Sequence, residues 1–107
     1  MIDVRDLPGR ELIERGLADV QSGRKTVEAL LVAVAAPRLE ALGLEARGPG
    51  TPVAEPELAL YALLGASGVS DPYSRYNALL RELSSFIRAL EHRISRERRG
   101  VPESTLG

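Results

Sequence analysis

The chain has no cysteine, and only one histidine, one asparagine, one glutamine and one methionine among its 107 residues. Without cysteine there is no disulfide, no thiolate nucleophile and no cysteine-ligated metal. A single histidine is too few for a histidine-rich metal centre. No glycine-rich phosphate loop and no histidine–carboxylate cluster at metal-ligand spacing stands in for these, so neither a metal nor a cofactor is expected. Aromatics are scarce, three tyrosines and one phenylalanine, and none alternates with basic residues in the way that would favour stacked single-stranded RNA. The longest apolar run, Ala29 to Ala36, falls far short of the roughly 20 residues that cross a bilayer. The opening MIDVRDLPG has acidic residues and no apolar segment of the kind a signal peptide needs. A soluble, cytoplasmic protein without a membrane partner is expected.

Charge of one sign is also lacking. Fourteen basic residues face fifteen acidic ones, which removes the simplest case for a polyanion partner, a net positive field. Any basic surface must be local. It leans to the C-terminal part: residues 1–66 hold 7 basic and 10 acidic residues, residues 67–107 hold 7 and 5. Arginine outnumbers lysine 13 to 1 and heat-labile side chains are almost absent, a composition expected of a thermophilic prokaryote.

What the sequence does contain is helical periodicity, with little of the alternation that marks strands. A first helix is expected from near Pro8 to just before Gly23, with Leu12, Ile13, Gly16, Leu17 and Val20 on its apolar stripe. Gly16 within that stripe would admit a close neighbour. A second segment starts at Thr26 as N-cap, with Glu28 near the positive end of the dipole, and runs to Gly43. Pro37 cannot donate to the carbonyl of Ala33, so a kink or break is expected there. Continued in phase, the helix would set Arg38 beside Val27, Leu31 and Val34, as a buried anion contact. A kink would instead swing Arg38 to the surface or to a carboxylate. Residues 44–57, rich in proline and glycine, read as a surface crossover.

The third segment begins at Pro56. Leu58, Leu60, Tyr61, Leu63 and Leu64 cover nearly its whole circumference, which places it at the bundle centre or in a subunit interface. The fourth has Asp71 as N-cap and Pro72 at the first helical position. Its stripe is the clearest in the chain: Tyr76, Leu79, Leu80, Leu83, Phe86, Ile87, Leu90 and Ile94. A rod from Pro72 to Arg98 would be about 40 Å long. It outruns its partners, and its leftover stripe would be covered most simply by a second copy. The fold expected is therefore all-α, a compact four-helix bundle-like domain over residues 1–99 with a long C-terminal helix, homodimeric, followed by a disordered tail at 100–107.

Two features of the last helix bear on function. Opposite the stripe, Arg81, Arg88, His92 and Arg96 form a basic ridge that Arg98 and Arg99 extend, suited to nucleic acid or an acidic protein if it is more than a solvated face favouring the helix dipole. At the helix start, the turn Gly68-Val69-Ser70 followed by Ser74 and Arg75 resembles a bacterial helix-turn-helix, in which Ser74, Arg75, Asn77, Ala78 and Arg81 would face the groove; the plainer reading is a helix-breaking turn between two bundle helices. Arg88-Ala-Leu-Glu-His92 sets an Arg and a His three residues apart. It falls one residue short of the Arg-to-His spacing of the HEPN helical nucleotide-binding domains, to which the pair bears a partial likeness. His92 on the outer face lacks the desolvated setting that tunes a catalytic base. The leading expectation is a non-enzymatic interaction or scaffold protein acting as a homodimer through surfaces that include the ridge. A helix-turn-helix regulator is second and a nucleotide- or RNA-handling helical domain third.

Overall fold

The computed structural model describes residues 6–50 and 52–106, with side chains as far as Glu97. Five helices stand in order: α1 Arg10–Gln21, α2 Val27–Val34, α3 Ala36–Ala41, α4 Pro56–Ala66 and α5 Pro72–Leu106. Among the described residues there is no strand, and no helix is long and apolar enough to cross a membrane. The disordered tail expected at 100–107 lies outside the part whose side chains are described.

The second segment divides into two helices because of its proline. Pro37 has no N–H to give the carbonyl of Ala33, so α2 ends at Val34 and Ala35 adopts φ −111° and ψ 16°. The chain restarts as α3, with Leu39 N–H donating to the Ala35 carbonyl at 2.9 Å. This break rotates the phase. Leu39 takes the core position, and Arg38, in-phase neighbour of Val27 and Leu31 in an unbroken helix, turns out to the surface.

α2 is the central helix. Ala29, Leu30, Leu31 and Val32 are all buried, and α1, α4 and α5 all pack on it. α1 comes closest because of Gly16: a Cβ there would stand 2.5 Å from Val32 Cγ2 and closer still to the carbonyl oxygen of Glu28. The turn between the two helices is set by a side-chain relay. The Thr26 hydroxyl donates to Asp19 at 2.7 Å and accepts the N–H of Ala29 at 3.1 Å, while Arg24 donates to the other oxygen of Asp19 at 3.1 Å. Asp19 is buried, and both of its oxygens are satisfied, as a carboxylate out of water requires.

The crossover of residues 44–55 is held against α1. Gln21 Nε2 donates to the carbonyl of Glu45 at 3.0 Å, Ala46 is buried, and Gly48 lies where any Cβ would collide with the Val20 carbonyl. α5 closes the domain. Leu79, Leu83, Phe86, Ile87 and Leu90 are buried together with Ile13, Leu31, Leu39, Leu60 and Leu64 in one cluster, each worth roughly 1.5–3 kcal/mol on burial. The α5 stripe is thus consumed by the chain's own core through Leu90, with Ile94 packed at its edge. The leftover stripe on which the homodimer expectation was built is not found among the described residues.

Replacing Gly16 by Ala adds helix propensity yet forces a methyl into the Glu28 backbone, so Gly16→Ala should destabilise the fold by about 1–3 kcal/mol. Urea unfolding followed by circular dichroism checks this; an unchanged or raised midpoint would contradict the close approach.

Candidate functional site

The arginines whose side chains are described fall into two classes. Arg10 pairs with Glu14 at 3.5 Å, Arg15 with Glu28 at 3.5 Å, Arg24 with Asp19 at 3.1 Å and Arg47 with Glu40 at 2.9 Å. Arg38 gives Nε and Nη2 to one oxygen of Glu91 at 3.1 and 2.7 Å, and Arg93 grips both oxygens of Asp6 at 2.7 and 2.9 Å. Arg75, Arg81, Arg88 and Arg96 are exposed and make no ion pair among the described residues. All four are on α5.

Three of them share one side. At about 100° per residue, Arg81, Arg88, His92 and Arg96 share one face of the helix, about 80° wide. Ser84, Ser85 and Ser95 lie between them, and all seven side chains are exposed. Arg81 to Arg96 spans about 22 Å at 1.5 Å per residue. The carboxylates of this stretch are elsewhere: Glu82 is turned about 100° and Glu97 about 160° from the line through Arg81, while Glu91 is drawn to Arg38. The result is a strip of exposed cations and hydroxyls bordered by Glu82 and Glu91; its arginines make no ion pair among the described residues. Arg98 and Arg99, expected to extend the ridge, have side chains outside the described part.

Arg38 does not make a buried anion contact. Its side chain is 62% exposed and its partner is Glu91, because the break at Ala35 turned it out of the core. Its effect on the ridge is indirect, since it neutralises the one carboxylate flanking His92.

The residues expected to read a DNA groove are divided. Asp71 caps α5, accepting the Ser74 N–H at 3.1 Å and the Ser74 hydroxyl at 2.7 Å. Ser74 is thereby engaged in the cap, and a carboxylate occupies the tip where a recognition helix would meet bases. Arg75 points about 120° away from Arg81. Asn77 is half-buried. Asn77 and Arg81 fall on the ridge side, whereas Arg75 does not.

Two features were missed in the sequence. The ridge serines follow from the same helical wheel as the arginines but carry no charge to mark them. The exposure of Leu58 and Tyr61 on α4 was hidden by the all-round apolar character of that helix. Tyr61 meets Tyr76 edge-on, ring centroids 5.7 Å apart, and Tyr73 is exposed. A shallow groove of about 480 Å³ opens beside the start of α1, lined by Asp6, Arg10, Arg15 and Glu82 among others; its arginines carry carboxylate partners. No group of histidines and carboxylates that would hold a metal occurs among the described residues.

No family model, curated protein or solved structure matches this chain.

The Asp71 cap fixes a pH dependence. Bonds from Ser74 hold the carboxyl below its ordinary value of 3.8. A lowered folded pKa means the cap's contribution is fully present above that ordinary value and fades as pH falls through the lowered one. In a carboxyl-carbon NMR titration Asp71 should show a midpoint under 3.8, and Ser74→Ala should raise it. An unmoved midpoint in the variant would mean Ser74 is not committed to the cap.

Proposed function

We propose that this protein is a non-enzymatic helical interaction protein, acting as a homodimer, whose working surface is the outer face of α5. The partner chemistry it suits is a nucleic-acid backbone. The observation that carries this reading is the sorting of the arginines: six are neutralised by carboxylates, while three exposed ones share a face with serines over about 22 Å and make no ion pair among the described residues. A solvated face selected only for solubility would be interspersed with acids, and this one is not. Arginine and serine are also the side chains that bond phosphate oxygens, arginine through its planar fork.

His92 lies among these groups as a further donor. Exposure denies it the desolvation that tunes a general base, which is why the reading is a binding surface and not a nuclease site. The helix-turn-helix alternative has less support, because Asp71 and the engaged Ser74 stand at the tip that would have to face bases. A line of arginines without aromatic platforms or a presented helix tip binds the backbone and not the sequence.

Fluorescence anisotropy with mixed-sequence duplex DNA and RNA tests the reading. Replacing Arg81, Arg88 and Arg96 together by Ala should weaken binding at least tenfold and flatten the salt dependence by about 0.9 per lost phosphate contact. Arg47→Ala, at an arginine already paired, should leave it unchanged. If Arg75→Glu abolishes binding while the triple variant retains it, the groove-reading alternative wins; if the native protein binds neither nucleic acid at low salt, both fail.

A further inference from the structure

The largest uncharged stretch of this sequence runs from Leu58 to Ser70, and half of it faces water. Leu60 and Leu64 point into the core. On the opposite side of α4, Leu58, Tyr61, Ala62 and Gly65 follow one another at helical spacing and all are exposed. Leu58 is 61% exposed and Tyr61 43%. Tyr73, 64% exposed, stands one turn before the Tyr76 ring that meets Tyr61 and extends the apolar surface onto α5.

Gly65 is the member that the single chain does not explain. Glycine inside a helix weakens it. Gly16 and Gly48 are required because backbone carbonyls press on them, but a Cβ at Gly65 would meet nothing within 4 Å, and its φ is not positive. Neither packing nor backbone conformation within one chain calls for glycine there.

We propose that this face of α4 seats the same face of a second copy, the two helices running antiparallel across a twofold axis. With the axis between positions 61 and 62, Leu58 of one copy lies over Gly65 of the other and Tyr61 over Ala62. Each large side chain then meets a small one, as the self-complementary patch of a twofold interface requires. A parallel pairing would set Leu58 on Leu58 and leave a gap between the glycines. No charge is desolvated along the face, so a partner of opposite charge gains nothing from it. The area sets the strength. α4 is about 16 Å long, and one such face with Tyr73 buries less than the roughly 800 Å² per partner of a standard stable interface. The dimer is therefore a weak, reversible one, and each copy keeps a complete core without it.

This inference rests on the homodimeric part of the function proposed above and is independent of the polyanion part. Sedimentation equilibrium of the full chain without nucleic acid, from about 1 to about 500 μM, tests it with two variants at exposed positions, Leu58→Glu and Gly65→Gln. Both should weaken association at least tenfold. At low concentration Leu58→Glu should melt as the native protein does, and Gly65→Gln at the same or a higher temperature, since Gln is the better helix former. A native protein that is monomeric throughout overturns both the dimer and its seat. A native dimer that neither variant weakens leaves the homodimer standing and overturns the α4 seat. Lowered melting of the Gly65→Gln monomer would assign that glycine to the chain's own packing and overturn it as well.

Discussion

Between Tyr76 and Leu90 one side of α5 is sealed into the core, and that sealing governs what the rest of the chain can do. Phe86, Leu79 and Leu90 are almost wholly removed from water, packed where α2 and α4 converge. α5 cannot rotate about its axis without exposing them. The outer side is therefore fixed outward, and Arg81, Arg88, His92 and Arg96 are presented on one rigid face with spacing set by the helix rise. Helix α2 is the other half of this constraint. Its four consecutive buried residues need cover on every side, and α1 can supply its share only because Gly16 lets the two backbones touch.

The electrostatics follow the same division. Several arginines are engaged by carboxylates of neighbouring elements: Asp6 with Arg93 ties the start of the described chain to α5, Glu91 with Arg38 ties α3 to it, and Asp19 with Arg24 locks the α1–α2 turn. The exposed pairs among these contribute little to stability, typically 0.2–1 kcal/mol. Their larger consequence is spatial. One of them, Arg38 with Glu91, engages a carboxylate of α5 itself, so a protein of net charge −1 still displays a basic strip.

Much of this arrangement was legible in the sequence where local chemistry decides it. Thr26 and Asp71 cap the helices they were expected to cap, Gly23 follows the end of α1, and the α5 stripe is the buried one. Pro37 announced the break, although the resulting phase change, which buries Leu39 and exposes Arg38, depends on where the chain resumes. What sequence could not give were the partnerships between distant residues. Asp19 reads as an ordinary surface acid until Thr26 and Arg24 close over it. The identity of the central helix was likewise a matter of packing: α2 and α4 are both strongly apolar, and only the approach of α1 at Gly16 makes α2 the one that is surrounded. The ridge was legible as a pattern of charge, but the engagement of Glu91 beside it was not, since that depends on Arg38 from a distant part of the chain.

The central claim, that the outer face of α5 engages phosphate, is tested most directly by mapping the contact in solution. In an NMR titration with a short mixed-sequence duplex, the arginine Nε–H signals of Arg81, Arg88 and Arg96 should shift together with the amides of Ser84, Ser85 and His92. Those of the ion-paired Arg24 and Arg47 should stay in place. Shifts gathered at residues 68–75 instead, or no shift at any residue at low salt, would contradict it.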